Sequence, residues 1–216
     1  MIYSPVGVTE PIRQGDVFRD VPMVDLRLSA LSVIGLDDEL RQTTWRDILA
    51  GRGGSGAVTA VLPLRPVTGM VITQNCDSAR GQFLSPCQVG DYLEAFSLKE
   101  PPKNPKKWKS LIVEKARTNS RFFYLPADET FGLRTRQAAD FRVVFSMPRV
   151  DLESLRDRRV AKLSTHAAEH FREALAHFFR RYAYNEWYPL DPEEFQSYAD
   201  DCGEKIEPYP GQLKGA

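Results

Sequence analysis

Cysteine and histidine are scarce, with three of each among 216 residues. Cys76, Cys87 and Cys202 are too few, and odd in number, to build a disulfide framework. They fit free thiols in a reducing compartment, so the cytoplasm is the expected location. No apolar run approaches the roughly 20 residues needed to cross a bilayer, so no membrane contact is expected. Residues Met1 to Val8 show no basic stretch leading into an apolar one, so no secretory leader is expected. Charge of one sign is lacking too: 29 Lys and Arg balance 29 Asp and Glu. A nucleic-acid contact must therefore come from a local patch. What is present is an ordinary globular composition, 42% hydrophobic and 27% charged.

The chain is organised around residues 69–87. Met70-Val71-Ile72 reads as a buried strand, too short for a helix and rich in branched side chains. It runs into the polar cluster Thr73, Gln74, Asn75, Cys76 and Asp77. Ser78 to Gly81 has turn composition, and Gln82 to Ser85 reads as a returning strand stopped by Pro86. Further strands are expected around Val17–Val24, Ala57–Leu64 (closed by Arg65-Pro66), Arg121–Leu125 and Phe141–Met147. Residues 25–50 are ambiguous, weakly helical around Trp45. Asp91–Leu98 fits a strand or one helical turn, and Lys106–Thr118 a short basic helix. Ser164 is a good N-cap for a helix from Thr165 to about Tyr184, with Phe171, Leu175, Phe178, Phe179 and Tyr182 along one side. The glycine run 51–56 lacks the Lys-Ser/Thr ending of a phosphate loop and reads as a connection.

Three features carry possible chemistry. Cys76 is flanked by Asn75 and Asp77, but a nucleophilic thiol needs a nearby base, and no histidine is close in sequence. His166, His170 and His177 share one stripe of the terminal helix with Glu173, opposite the Phe171–Leu175 face. Histidines four apart can chelate zinc, yet HExxH is absent and the stripe reads as solvated surface; no metal or cofactor is assigned. Lys103, Lys106, Lys107, Lys109, Lys115, Arg117 and Arg121 surround Trp108 and the run Phe122-Phe123-Tyr124. Cations suit phosphates, and Trp108 suits stacking on unpaired bases. The 122–124 run itself reads as core strand.

The order of blocks is informative. Gly15-Asp16-Val17-Phe18 comes first, then Arg65-Pro66-Val67-Thr68-Gly69 leading into Met70–Thr73, a turn, and a strand ending at Pro86. Phe141-Arg142-Val143-Val144 and Arg159-Val160-Ala161-Lys162-Leu163-Ser164 follow, before the last helix. This order resembles the MazF/PemK toxin family, over about half of the chain, and also a set of bacterial proteins sharing a Thr-Gln-x-Cys-Asp strand end, here Thr73 to Asp77. The resemblance implies a mainly-β (α+β) fold, an SH3-like β-barrel with a C-terminal helix and inserted loops. It would be one domain over 1–184, with insertions at 26–56 and 99–120, the helix at 165–184, and a tail, 185–216, packing on it. It implies metal-independent RNA cleavage in a groove, with RNA and an antitoxin as partners in a bacterial conflict system, and leaves an oligomer open. Arg65 matches the family's arginine. The family's threonine beyond the proline strand end has no counterpart, since Cys87 and Gln88 follow Pro86. Arg65 would stabilise developing phosphate charge, and Thr73, Gln74, Cys76 and Asp77 are expected to share a recess with it. A noncatalytic module binding nucleic acid or protein, and a hydrolase using Cys76, stay open beside this reading.

Overall fold

The computed structural model describes residues 1–34, 38–51, 57–114 and 121–180. The tail 185–216 with Cys202, residues 181–184 of the expected last helix, residues 52–56 of the glycine run, Lys115 and Arg117 lie outside them. Residues Met1–Phe178 form one compact unit and Phe179–Ala216 are a second. In chain order the elements are β1 (Tyr3–Ser4), β2 (Asp16–Val24), β3 (Leu31–Ile34), β4 (Leu40–Thr43), α1 (Trp45–Gly51), β5 (Ala60–Val61), β6 (Leu64–Val71), α2 (Asn75–Arg80), β7 (Phe83–Leu84), β8 (Pro86–Asp91), α3 (Tyr92–Ala95), α4 (Pro105–Lys109), β9 (Phe122–Leu125), β10 (Gln137–Val144), β11 (Met147–Pro148), α5 (Arg149–Ser154), β12 (Arg159–Leu163) and α6 (Thr165–Arg180). The fold is α+β with largely antiparallel sheets. No helix of the described residues is long and apolar enough to cross a membrane.

The main sheet has seven strands in the order β1-β12-β2-β6-β8-β10-β9, and its strand pairs run antiparallel. One face carries Val17, Met70, Cys87, Ala139 and Phe141, and α6 covers it with Phe171, Leu175 and Phe178. The Phe171 ring meets Phe123 at 5.1 Å and Phe141 at 5.6 Å, both edge to face. Burying each such ring contributes about 1.5–3 kcal/mol. The helix starts where expected, because the Ser164 hydroxyl accepts from the Ala167 N–H at 3.4 Å and donates to the Met1 carbonyl at 3.0 Å. The opposite face packs at one end through Phe18, Val21, Val67, Leu84 and Leu152. At the other end it packs through Tyr92, Phe122 and Ala138.

The two edges of this sheet approach each other. The Tyr3 hydroxyl on β1 donates to the carbonyl of Pro126, next to β9, at 2.8 Å, and its ring lies 5.7 Å from Phe131. Burial pushes the Tyr3 hydroxyl pKa well up. The sheet thus curls towards itself, but among the described residues no ladder joins β1 to β9 and no sheet closes.

The 26–56 insertion contributes to a small sheet, β4-β3-β5, backed by α1. Its concave side is an apolar cavity of about 330 Å³ lined by Leu26, Leu28, Leu31, Trp45 and Ile48 among others. The strand expected over Ala57–Leu64 is reduced to Ala60–Val61. Arg65-Pro66 does not end a strand but lies inside β6. Pro66 is tolerated because β8 pairs with β6 only from Thr68 onward, and on the other side Pro66 faces Pro22.

An arginine-fastened arm completes the unit. Gly15 has φ +89°, and its N–H bonds the Val71 carbonyl at 2.8 Å. A Cβ there would sit 3.1 Å from Leu163, so the turn needs glycine twice over. Asp16 is 1% exposed and pairs with Arg159 at 2.7 Å. Arg159 also donates to the carbonyls of Glu10 and Pro11, and Arg156 to those of Val8 and Glu10. Burial raises the Asp16 carboxyl above its ordinary range, while the Arg13 N–H and the Arg159 guanidinium pull it back.

Candidate functional site

The polar cluster after β6 is a wired corner. The expected turn at 78–81 is instead the end of α2, a short helix opening at Asn75 itself. Gln82–Ser85 is not one returning strand: β7 is two residues long and pairs with β11, and Pro86 opens β8 rather than stopping a strand. A proline can open a strand because its missing N–H costs no ladder bond there. The Thr73 hydroxyl accepts from the Ser85 N–H at 2.7 Å, and the Asn75 side-chain oxygen accepts from the Gln14 N–H at 3.0 Å. The Gln14 amide donates to the Ile72 carbonyl at 2.7 Å. Thr73 and Asn75 thus bind the arm to the strand end. Gln74, Cys76 and Asp77 are exposed. The Cys76 sulfur lies 3.8 Å from Gln74 Oε1 and 3.7 Å from Asp77 Oδ1, so its hydrogen-bonding neighbours are an amide and a carboxylate, not a histidine. Cys87 is buried, and burial, then the Asp140 charge, push its thiol pKa well up. Thr73→Val is expected to leave the Ser85 N–H without its acceptor and to cost about 1–3 kcal/mol, read as a lower urea midpoint.

Arg65 does not share that corner. It stands near the start of β6 and Thr73 just past its end, so six residues of strand to Val71 already set them about 20 Å apart at about 3.3 Å per residue. A strand hydrogen-bonded along its length cannot fold back to bring its two ends together. Arg65 instead joins a row across the sheet. Its guanidinium donates to Gln88 Oε1 at 3.2 Å. Gln88 on β8 is the register partner of Asp140 on β10, which is itself the partner of Phe122 on β9. Arg142, two residues beyond Asp140, returns to the same face. It grips both Asp140 oxygens, at 3.0 and 2.8 Å, and lies 4.8 Å over the Phe122 ring. Those hydrogen bonds hold the Arg142 pKa above its usual range.

The basic segment lies towards the same side. Asn104 caps α4 by accepting from the Lys106 N–H at 2.9 Å, with Pro105 in the first turn. Trp108 is half-buried and meets Tyr124 edge-on at 6.0 Å, and Tyr124 shares its face of β9 with Phe122. Trp108 therefore anchors α4 to the sheet instead of standing free to stack on bases, because covering Tyr124 removes apolar surface from water. Lys106, Lys107, Lys109 and Arg121 are exposed, and Lys103 pairs with Glu100 at 3.7 Å. Gln88, Asp140 and Arg142 were missed as site residues by sequence reasoning. A signal for two of them existed: Asp140 and Arg142 flank a core phenylalanine, so in a strand both face away from the core.

Among the described residues no group of three or more His, Cys, Asp or Glu side chains is arranged to hold a metal ion. No protein-family model matches the chain, and no curated protein matches it.

Proposed function

We propose that the chain is an RNA-directed protein of the MazF/PemK-like kind, an SH3-like barrel elaborated by inserted segments, acting in a bacterial conflict or defence system. The observation that carries this reading is the row Arg65–Gln88–Asp140–Arg142 across the sheet face opposite α6, with the lysine-bearing α4 anchored on the same face through Trp108 and Tyr124. The near-meeting of β1 and β9 through Tyr3 supports the barrel. RNA phosphates lie against Arg65 and the α4 lysines, and an antitoxin would cover the same row. Cleavage has its own supporting observation. Asp140 balances the Arg142 charge, whereas Arg65 is held by the neutral Gln88 and keeps its charge for a phosphate in which negative charge develops. The noncatalytic reading rests on Asp140, whose two oxygens both engage Arg142 and so offer no ready base.

The test is incubation of the purified chain with mixed RNA in EDTA, followed by mapping of fragment ends and a binding assay. Bound RNA with fragments cut at defined positions is the result expected of an endoribonuclease. Bound RNA left intact leaves the binding module. Absence of both binding and cutting removes the RNA reading.

A further inference from the structure

We propose that His166 and His170 form a two-point chelate on the exposed side of α6 for a borderline divalent cation such as zinc or copper(II). The two side chains lie one helical turn apart. Their Nε2 atoms approach to 3.2 Å while their ring centroids stay 4.6 Å apart with planes at 89°, so the nitrogens are on the facing sides of the rings. Two ligands at 2.0–2.1 Å from a tetrahedral ion are separated by about 3.3 Å, which is the separation already present. The second observation lies behind His170. Its other nitrogen, Nδ1, is 3.8 Å from Glu173 Oε2. At 3.8 Å the Glu173 carboxylate stands outside hydrogen-bond range, and a side-chain shift of about 1 Å would let it fix the tautomer, holding the proton on Nδ1 and turning the Nε2 lone pair outward.

Without an ion, a 3.2 Å contact between two Nε2 atoms needs one proton between them, donated by His166 if Glu173 holds the His170 proton on Nδ1. When the cation enters, both Nε2 lone pairs bind it. His166 then carries its proton on Nδ1, exchanged through solvent, and no group is oxidised. His177 lies two turns beyond His170 and takes no part. Imidazole ligands select copper, zinc and nickel over magnesium and calcium, and the remaining coordination positions are left to water.

The test is calorimetric titration of Zn²⁺ into the untagged, EDTA-treated and dialysed full chain. Saturable binding of one ion is expected. His166→Ala and His170→Ala are each expected to weaken it at least about ten-fold. Glu173→Gln is expected to weaken it by about ten-fold, the lower end for loss of an outer partner. Both histidines are exposed, so the variants should keep the fold, which circular dichroism checks. Cys76→Ser is expected to leave the affinity unchanged. With Cu²⁺, nitrogen hyperfine structure in the electron paramagnetic resonance spectrum is expected, and its loss in His170→Ala. Equal affinity in the His166→Ala/His170→Ala double variant, or no saturable binding by the unaltered chain, overturns the proposal.

Discussion

Replacing Arg159 with methionine is expected to destabilise the fold by about 3–5 kcal/mol, the usual cost of leaving one member of a buried ion pair behind. Arg159 and Asp16 are 2% and 1% exposed at the side chain, so water cannot take over the lost partner. The same change takes the side-chain donor from the Pro11 carbonyl and leaves the Glu10 carbonyl to Arg156 alone. Whole-domain stability is commonly about 5–15 kcal/mol, so the loss would take from about a fifth of it to all of it. The deficit should depend on pH with a definite sign. Burial raises the Asp16 pKa, and without Arg159 it rises further. A carboxyl with a raised folded pKa adds stability below its unfolded pKa, about 3.9, and that stability is lost as pH rises through the folded value. Arg159→Met should therefore harm least in acid and most near neutrality. Adding Asp16→Asn should recover part of the loss at pH 7. Urea unfolding at pH 4 and pH 7 measures both. A variant with an unchanged midpoint at pH 7 would show the pair to be dispensable.

Arg65→Ala is expected to weaken RNA binding about ten-fold near 0.1 M salt, and adding Lys106→Ala and Lys107→Ala should bring the loss to about a hundred-fold or more. Each phosphate contact removed from a single strand should also lower the slope of log affinity against log salt by about 0.7, so the triple variant should lose about 2. Asp140→Asn should act in the opposite direction. Asp140 neutralises Arg142, and removing its charge adds positive potential to the row without removing a cation. Fluorescence anisotropy with a labelled single-stranded RNA across a salt series reads all three. An unchanged slope in the triple variant would take the row out of the RNA interface.

Short-range pattern made several elements readable. Met70-Val71-Ile72, Phe122–Leu125 and Phe141–Val144 are strand-like because branched and aromatic side chains suit a pleated surface, and all three lie in or adjoin strands of the main sheet. Ser164 and the Phe171–Leu175–Phe178 stripe marked a helix because cap and apolar face both follow from spacing, although Phe179, expected on the same side, is exposed because it falls next to Phe178 and so points off the buried face. Local composition misled at Asn75–Arg80. The polar residues 75–77 and the turn-like Ser78 to Arg80 form a helix there, with no side-chain cap bond at Gln74, because Asn75 accepts from the Gln14 N–H and the Arg149 guanidinium donates to the Ala79 carbonyl at 3.2 Å. Both partners come from distant parts of the chain.

From sequence alone, strand-like and helix-like segments and the exposed lysines of the α4 segment could be stated, since each rests on residue type and near-neighbour spacing, whereas Arg65 was a candidate only through the resemblance in block order. The company Arg65 keeps was a matter of register. Gln88 is 23 residues away, and the pairing of β6 with β8 and of β8 with β10 decides that Arg65 meets the Asp140–Arg142 row and not Thr73. The same holds for Asp16 and Arg159, joined across β2 and β12. Register is the lowest free energy of many side chains packing at once, so no single segment of the sequence carries it.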